Sequence, residues 1–320
     1  MAWLVFAILA ACGFGLRGIL YHWTSQQPLS RNALLCGTFF SGAVISLICA
    51  ILTGQQWSVS ALIGLQMGLF SFGANASMFK GFAVGKASLV AILTALPSVV
   101  VVIVAYALWG EKLNAMQLAA FAVIIAGILL VRYSNDLSWG NLQGAQWGLL
   151  AMILFAGNDL SGKWSTMMEA AMFPTLVCMF AMGSACFGLW WLKDARFARS
   201  VATAVSQGNA LGARVKVVSI ASVSSLAERD EMATAKGRWS GKRTFAVGMA
   251  VGITNAVGMM FIITAFDLGK AGLVSAVAAL NVLIVLLYTR FIVKERFSRL
   301  ETIGIATAFA GILLMRLFGG

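Results

Sequence analysis

The sequence predicts an all-α membrane protein in which ten transmembrane helices form two inverted five-helix repeats. Two observations carry this prediction: apolar runs long enough to span a bilayer, and a segment that the chain repeats. Hydrophobic residues make up 60% of the chain and charged residues only 11%, whereas soluble domains carry about 25% charged residues. Such a composition indicates a chain that is solvated largely by lipid.

Ten apolar runs approach the length of about 20 residues that a helix needs to cross a bilayer. They lie near residues 2–23, 33–53, 60–80, 87–109, 115–132, 145–164, 171–192, 244–266, 271–292 and 301–318. The chain has only three prolines and no series of short alternating segments, so we expect helices. We expect the first run to be retained, because no Lys or Arg precedes it as in a signal peptide.

One stretch of the sequence occurs twice. GKASLVAILTALP at 85–97 returns as GKAGLVSAVAALN at 269–281, an offset of 184 residues (269 − 85). Aligned without gaps, residues 75–133 and 259–317 share 17 identities in 59 positions, where chance gives about one in ten for so apolar a composition. The same offset pairs two small-xxx-small motifs, which we expect to be helix-packing surfaces: Gly64/Gly68 and Gly248/Gly252.

The repeat unit contains five predicted helices, so the second copy enters the membrane from the opposite side. Inverted repeats related by an axis in the membrane plane are an architecture of secondary transporters. An exchange of conformation between the halves would open a central cavity to each side in turn. We place the first half at residues 1–133 and the second at 134–320.

The second half includes a basic hydrophilic loop at 193–243, with ten Lys or Arg residues against four Asp or Glu residues. Its charge favours a solvated cytoplasmic loop, with both chain termini outside. A nucleic-acid interface is not expected, because the loop has few aromatic rings on which bases could stack. We expect one short helix in it, around 221–235.

The stretch FAVGKASLVAILTALPSVVVVIVAYALWGEKLNAMQLAAFAVIIAGILLV resembles an EamA-type domain of the drug/metabolite transporter superfamily. The matching features are a Gly-small pair opening span 4, Leu-Pro within it, Gly-Glu-Lys-Leu at its end, and Ala-Gly-Ile-Leu in span 5. The second copy departs from this pattern, with Asn281 in place of the proline and Lys294-Glu295-Arg296 in place of Gly-Glu-Lys. The resemblance implies a secondary carrier whose cavity is lined by spans 1, 3, 4, 6, 8 and 9, without fixing its substrate. It also implies no counterpart of the basic loop, which the family normally lacks.

Charged residues inside the predicted spans mark candidate sites, because a charge at mid-bilayer costs about 2.5–3.5 kcal/mol. Asp159 and Lys163 in span 6 stand four residues apart and can neutralise each other on one helix face. Alternatively, Asp159 couples transport to a proton or cation, or binds an amine. Arg17 in span 1 either snorkels to the interface or faces the cavity, where it binds an anionic group or pairs with Asp159.

Uncharged polar residues in the cavity-lining spans are further candidates for substrate binding, although hydrogen bonding between helices is the simpler alternative. They are Ser71, Asn75, Thr94, Ser98, Asn158, Asn255, Ser275 and Asn281. Pro97 would loosen its helix and is a candidate gating point. Gly85 and Gly269 open the duplicated segment and are candidate hinges.

These features predict a secondary transporter of a small polar or amphipathic metabolite, an exporter or exchanger in the bacterial inner membrane, coupled to a proton or cation. An enzyme is not expected, because the chain has a single His, no HExxH motif and no paired intramembrane Asp. No cofactor or metal is expected either, because the five cysteines show no metal-ligand spacing. The alternative function is a permease subunit driven by a separate ATPase; a channel would require a repeated filter sequence.

Overall fold

In the computed structural model the chain forms a bundle of α-helices, described over residues 2–85, 87–132, 144–206, 239–294 and 298–318. The helices are α1 (Ala2–Ser25), α2 (Arg31–Thr53), α3 (Ile63–Val84), α4 (Ala87–Leu93), α5 (Pro97–Trp109), α6 (Ala115–Arg132), α7 (Ala145–Met167), α8 (Met172–Ser206), α9 (Gly241–Leu268), α10 (Ala271–Ala278), α11 (Asn281–Tyr288) and α12 (Arg299–Phe318). A 3₁₀ turn (Val59–Leu62) precedes α3, and a π-helical turn (Thr289–Val293) follows α11. These ranges contain no strand, which confirms the all-α prediction.

Nine helical segments of the described chain are long and apolar enough to cross a membrane. In this set α4 and α5 share one segment, Leu89–Trp109, and α10 and α11 share another, Ala271–Val293. The remaining predicted span, 145–164, is the helix α7, whose hydropathy Asn158, Asp159 and Lys163 lower. Because α7 packs along α3 and contacts α4, α5 and α9, it lies within the bundle.

Two of the predicted spans are broken near their middle. Pro97 is the first residue of α5, where its missing N–H costs no helical hydrogen bond. The second copy is broken at the same repeat position, since Asn281 is the first residue of α11. Both breaks follow the same dipeptide, Ala-Leu, at 95–96 and 279–280. Proline is therefore not required for the break, and the gating role of Pro97 stays a prediction.

Helix α8 extends further than the sequence predicts. It continues to Ser206 rather than ending near residue 192, so the beginning of the predicted loop 193–243 is helical. The chain is helical again from Gly241, at the start of α9. The short helix predicted around 221–235 lies outside the described residues.

A cluster of aromatic rings forms the core between α2, α3 and α8. The ring of Phe39 on α2 packs against Phe180 and Phe187 of α8, with centroids 5.9 and 5.4 Å apart. Phe72 of α3 meets Phe187 from the other side, at 4.9 Å. These ring contacts pack α2 and α3 against α8.

The glycine pairs predicted to be packing surfaces do lie at close helix crossings. Gly248 and Gly252 of α9 face α2, and Gly64 and Gly68 of α3 face α8. At each of the four glycines an added Cβ would meet a backbone carbonyl, that of Leu34, Thr38, Thr175 or Met179. The two crossings correspond under the repeat offset, since 64 + 184 = 248 and 68 + 184 = 252.

The α6–α12 crossing joins two helices that are themselves related by the repeat offset. Gly127 of α6 lies against Ala308 of α12, and Gly311 of α12 lies against Ile124 of α6. The offset exchanges these two contacts, since 124 + 184 = 308 and 127 + 184 = 311. The contacts between helices thus follow the sequence repeat.

We expect Gly252→Ala to destabilise the bundle by about 1–3 kcal/mol, the usual cost of overpacking. The added methyl group would overlap the Thr38 carbonyl and Ser41 Oγ, and backbone cannot move aside cheaply. Gly188→Ala is the matched control, because its Cβ would touch only Cys36 Sγ at 3.4 Å, an ordinary contact. Thermal unfolding in detergent measures the difference; equal melting temperatures for the two variants would contradict the expectation.

One end of the bundle has basic side chains that lie over tryptophan rings. At this end, called here the Trp239 end, Lys80 Nζ lies 3.9 Å from the Trp147 ring centroid and Arg243 lies 4.0 Å from that of Trp239. The backbone N–H of Trp239 donates to the Pro28 carbonyl at 3.0 Å, which ties α9 to the α1–α2 connection. The opposite end, called the Glu111 end, contains the C-termini of α5, α7 and α9 and the N-terminus of α10.

Candidate functional site

Asp159 lies inside the bundle on α7, where it contacts the second broken span. Its Oδ2 accepts a hydrogen bond from Ser275 Oγ of α10 at 2.5 Å, and Ser275 itself is buried. The only ion pair among the described residues joins Lys163 to Glu111, so Asp159 has no cationic partner there. The predicted pair of Asp159 and Lys163 is therefore not formed.

Lys163 instead reaches toward the Glu111 end. Its Nζ donates to the carbonyls of Phe266 and Gly269 at 2.7 and 2.8 Å. It also lies 3.6 Å from Glu111 Oε1. With these three partners, the ammonium group of Lys163 does not pair with Asp159.

Arg17 is directed into the bundle rather than toward the interface. Its Nη1 donates to Asn255 Oδ1 of α9 at 2.5 Å, and Asn255 is buried. The guanidinium also lies over the ring of Phe14, 4.8 Å from its centroid, and 5.9 Å from that of Tyr21. Within the described residues it has no carboxylate partner, so neither the snorkelling alternative nor a pair with Asp159 is formed.

The two charged groups lie along the same stretch of α9. Gly13, one turn before Arg17, contacts α9 at Gly258, and Gly162, one turn after Asp159, faces α9 at Ile263. At a rise of 1.5 Å per residue, the stretch from Asn255 to Ile263 is about 12 Å long. A cationic and an anionic group, each without a counter-ion among the described residues, therefore lie within about 12 Å of each other along the axis of α9.

Six of the eight uncharged candidates fall into three groups. Asn255 and Ser275 bind the two charged groups, as described above. Asn75 and Thr94 bond to carbonyls one turn earlier in their own segments, those of Ser71 and Val90, and not to another helix. The buried atoms Ser98 Oγ and Asn158 Oδ1 have no hydrogen-bond partner among the described residues.

Ser71 and Asn281 are not joined to either charged group by a hydrogen bond that the described part of the chain shows. Ser71 is buried on α3, and Asn281 is half-buried at the start of α11. Their role as cavity residues stays a prediction.

The two candidate hinge glycines do not need the conformational freedom of glycine. Gly85 and Gly269 have φ values of −127° and −137°, an extended backbone that any residue adopts. At Gly269 space is limiting, because an added Cβ would lie 2.9 Å from Trp3 Cβ of α1. Near Gly85 it is Gly144 that has no room for a side chain, because a Cβ there would lie 2.7 Å from Gly85 Cα. The role of both glycines as hinges stays a prediction.

The two broken spans touch at one end of the bundle only. At the Glu111 end α10 packs against α5. The repeat-equivalent pair at the Trp239 end, α4 and α11, has no comparable contact among the described residues. The structure is therefore closed between these spans at the Glu111 end and more open between them at the Trp239 end.

Comparison with known proteins agrees with this architecture. A solved crystal structure, described only as that of a protein, matches 99% of this chain and 98% of its own with a TM-score of 0.69 and 12% identity, a likeness that shows the fold alone. No curated protein matches the sequence. The model of the EamA-like transporter family matches residues 1–133, the predicted first half. Residues 1–133 are therefore similar to the EamA-like transporter family, and the chain is an integral membrane protein that crosses the bilayer several times.

Proposed function

We propose that this protein is a secondary transporter that moves a small zwitterionic metabolite by alternating access, as an exporter or exchanger in the bacterial inner membrane. The observation that carries the proposal is the presence of Arg17 and Asp159 along one stretch of α9, each without a counter-ion among the described residues. Two isolated charges in the membrane are costly unless a ligand completes them.

Arg17 is suited to hold the carboxylate of such a substrate. A guanidinium has five N–H donors in a planar fork that matches a carboxylate, and Asn255 accepts from only one nitrogen. The rings of Phe14 and Tyr21 hold the guanidinium in place by cation–π contact. The group is therefore oriented before the substrate arrives.

Asp159 is suited to hold the ammonium group. Ser275 donates to Oδ2, which fixes the carboxylate and leaves acceptor capacity for a second donor. The neighbouring Asn158 Oδ1, buried and without a partner, would supply a further acceptor. Coupling of transport to a proton or cation at Asp159 is part of this proposal.

The repeat-equivalent helix crossings support alternating access. The α3–α8 and α2–α9 crossings correspond under the offset, so the halves are built to adopt each other's conformation. The present conformation has its closed contact at the Glu111 end. Basic residues at the Trp239 end favour a cytoplasmic location for that end by the positive-inside rule, and the open side is then the one at which export begins.

Counterflow in proteoliposomes that contain only the purified protein tests this function. Labelled alanine, serine, leucine and phenylalanine are compared with their amides, which lack the carboxylate, and their N-acetyl derivatives, which lack the ammonium group. We expect counterflow of at least one zwitterion, and at least about tenfold slower counterflow of both derivatives, because one buried charge is worth more than 1.4 kcal/mol. Equal flux of the derivatives would contradict the substrate class, and a requirement for an added ATPase would contradict the carrier.

A further inference from the structure

The Glu111 end contains a cluster of charged side chains that the substrate site does not use. Glu111 follows α5, Lys163 lies on α7, and both reach the connection between α9 and α10. The two side chains are only 16% and 13% exposed. Three spans thus meet at one half-buried ion pair.

Each member of the pair binds one end of that connection. Lys163 donates to the carbonyl of Phe266, in the last turn of α9, and to that of Gly269, which follows the helix. Glu111 Oε2 accepts from the backbone N–H of Ala271, the first residue of α10, at 2.8 Å. Because helix ends have unpaired carbonyls and N–H groups, the cation and the anion each lie at the end that favours its charge.

A second contact ties the same connection to the first half of the chain. Lys270 Nζ donates to the Lys112 carbonyl at 2.5 Å and to Gln117 Oε1 at 2.8 Å. These bonds join the start of α10 and the connection before it to the segment that follows α5, to α6 and to α7, beside the place where α10 and α5 pack together.

From these contacts we infer that Glu111 and Lys163 form a latch that holds the Glu111 end closed; the inference rests on the alternating access proposed above. Opening this end separates α10 from α5, and the Glu111–Ala271 bond must then break. The glycine crossings described above join other helix pairs, α2 with α9, α3 with α8 and α6 with α12. The latch also gives a role to the charged residue that follows α5, because Glu111 supplies the acceptor that the N-terminus of α10 needs in the closed state.

The latch predicts a change in which side of the bundle is accessible, and this can be measured without substrate. Val102 of α5 faces Gly272 of α10 at the closed end, and its repeat equivalent on α11 is Leu286 (102 + 184). Val102→Cys and Leu286→Cys, each in a background with the five native cysteines replaced by alanine, report on the two ends. Their reaction rates with a charged, membrane-impermeant thiol reagent are measured in nanodiscs.

We expect Glu111→Gln and Lys163→Met each to raise the labelling rate at Val102→Cys at least about fivefold and to lower that at Leu286→Cys. Lys112→Met is the matched control, because it removes an exposed lysine charge beside the latch while keeping its backbone carbonyl. Unchanged rates, or rates that rise at both reporters, would overturn the latch. If one variant does not fold, the other carries the test.

The labelling and counterflow experiments separate the latch from the transport function. A shift in labelling with no counterflow of any solute would uphold the latch and contradict the transport function. Counterflow without a shift in labelling would uphold the transport function and contradict the latch.

Discussion

Asp159→Asn is expected to lower the apparent affinity for the zwitterionic substrate by about 30- to 1,000-fold. Removing one partner of a buried charge pair costs about 2–4 kcal/mol, and each 1.4 kcal/mol is a factor of ten. Asparagine has nearly the shape of aspartate and still accepts from Ser275 Oγ, so the local packing is retained. The concentration dependence of counterflow measures the change.

The same variant separates the two roles proposed for Asp159. A substrate-binding carboxylate predicts that the N-acetyl derivatives, which need only Arg17, are transported by the variant as well as by the wild type. A carboxylate that only couples transport predicts instead that accumulation driven by a pH gradient is lost while counterflow keeps its affinity. The second result would contradict the assignment of the ammonium group to Asp159.

Arg17→Met is expected to have the second large effect, a loss of about 30-fold or more in apparent affinity for substrates with a carboxylate. Methionine keeps much of the length of the side chain but supplies no donor, so about 2 kcal/mol or more of charge-assisted bonding is removed. The amides, which have no carboxylate, should be affected little, and this difference is measured by counterflow of amide and free acid side by side.

Two further variants serve as controls for the Arg17 experiment. Arg17→Lys keeps the charge but not the planar fork, so we expect an intermediate loss. Lys80→Met removes a positive charge at the Trp239 end, where Lys80 lies over Trp147 away from the substrate site. An equal loss of affinity in Lys80→Met would show that overall charge, and not Arg17 itself, is responsible.

Much of the fold could be predicted from the sequence because lipid imposes a simple pattern. The ten apolar runs are all helical, and the repeated segment leads to the equivalent glycine crossings. The break between α10 and α11 was missed, since only the copy with Pro97 has a strong helix-breaking signal. The extension of α8 to Ser206 was also missed, although the segment from Lys193 is rich in Ala and Arg, which are good helix formers.

The charged residues inside the spans could be identified from the sequence, but their contacts could not. Arg17 and Asp159 were found because a charge inside a span is conspicuous. Local spacing paired Asp159 with Lys163, whereas the structure pairs Lys163 with Glu111, 52 residues earlier (163 − 111). Such a contact depends on how α5, α7 and α9 meet, and helical periodicity carries no information about it. The identity of Glu111 with Glu295 in the repeat was the available signal for a role in both halves.

Trans-stimulation tests most directly whether this protein is a carrier that works by alternating access without a partner. Proteoliposomes containing only the purified protein are loaded with a labelled zwitterion that passed the counterflow assay, and its efflux is followed with and without the unlabelled solute outside. We expect external solute to accelerate efflux in a saturable manner, because a loaded carrier returns faster than an empty one. Efflux that external solute leaves unchanged or slows would contradict this expectation and would indicate a channel-like pathway.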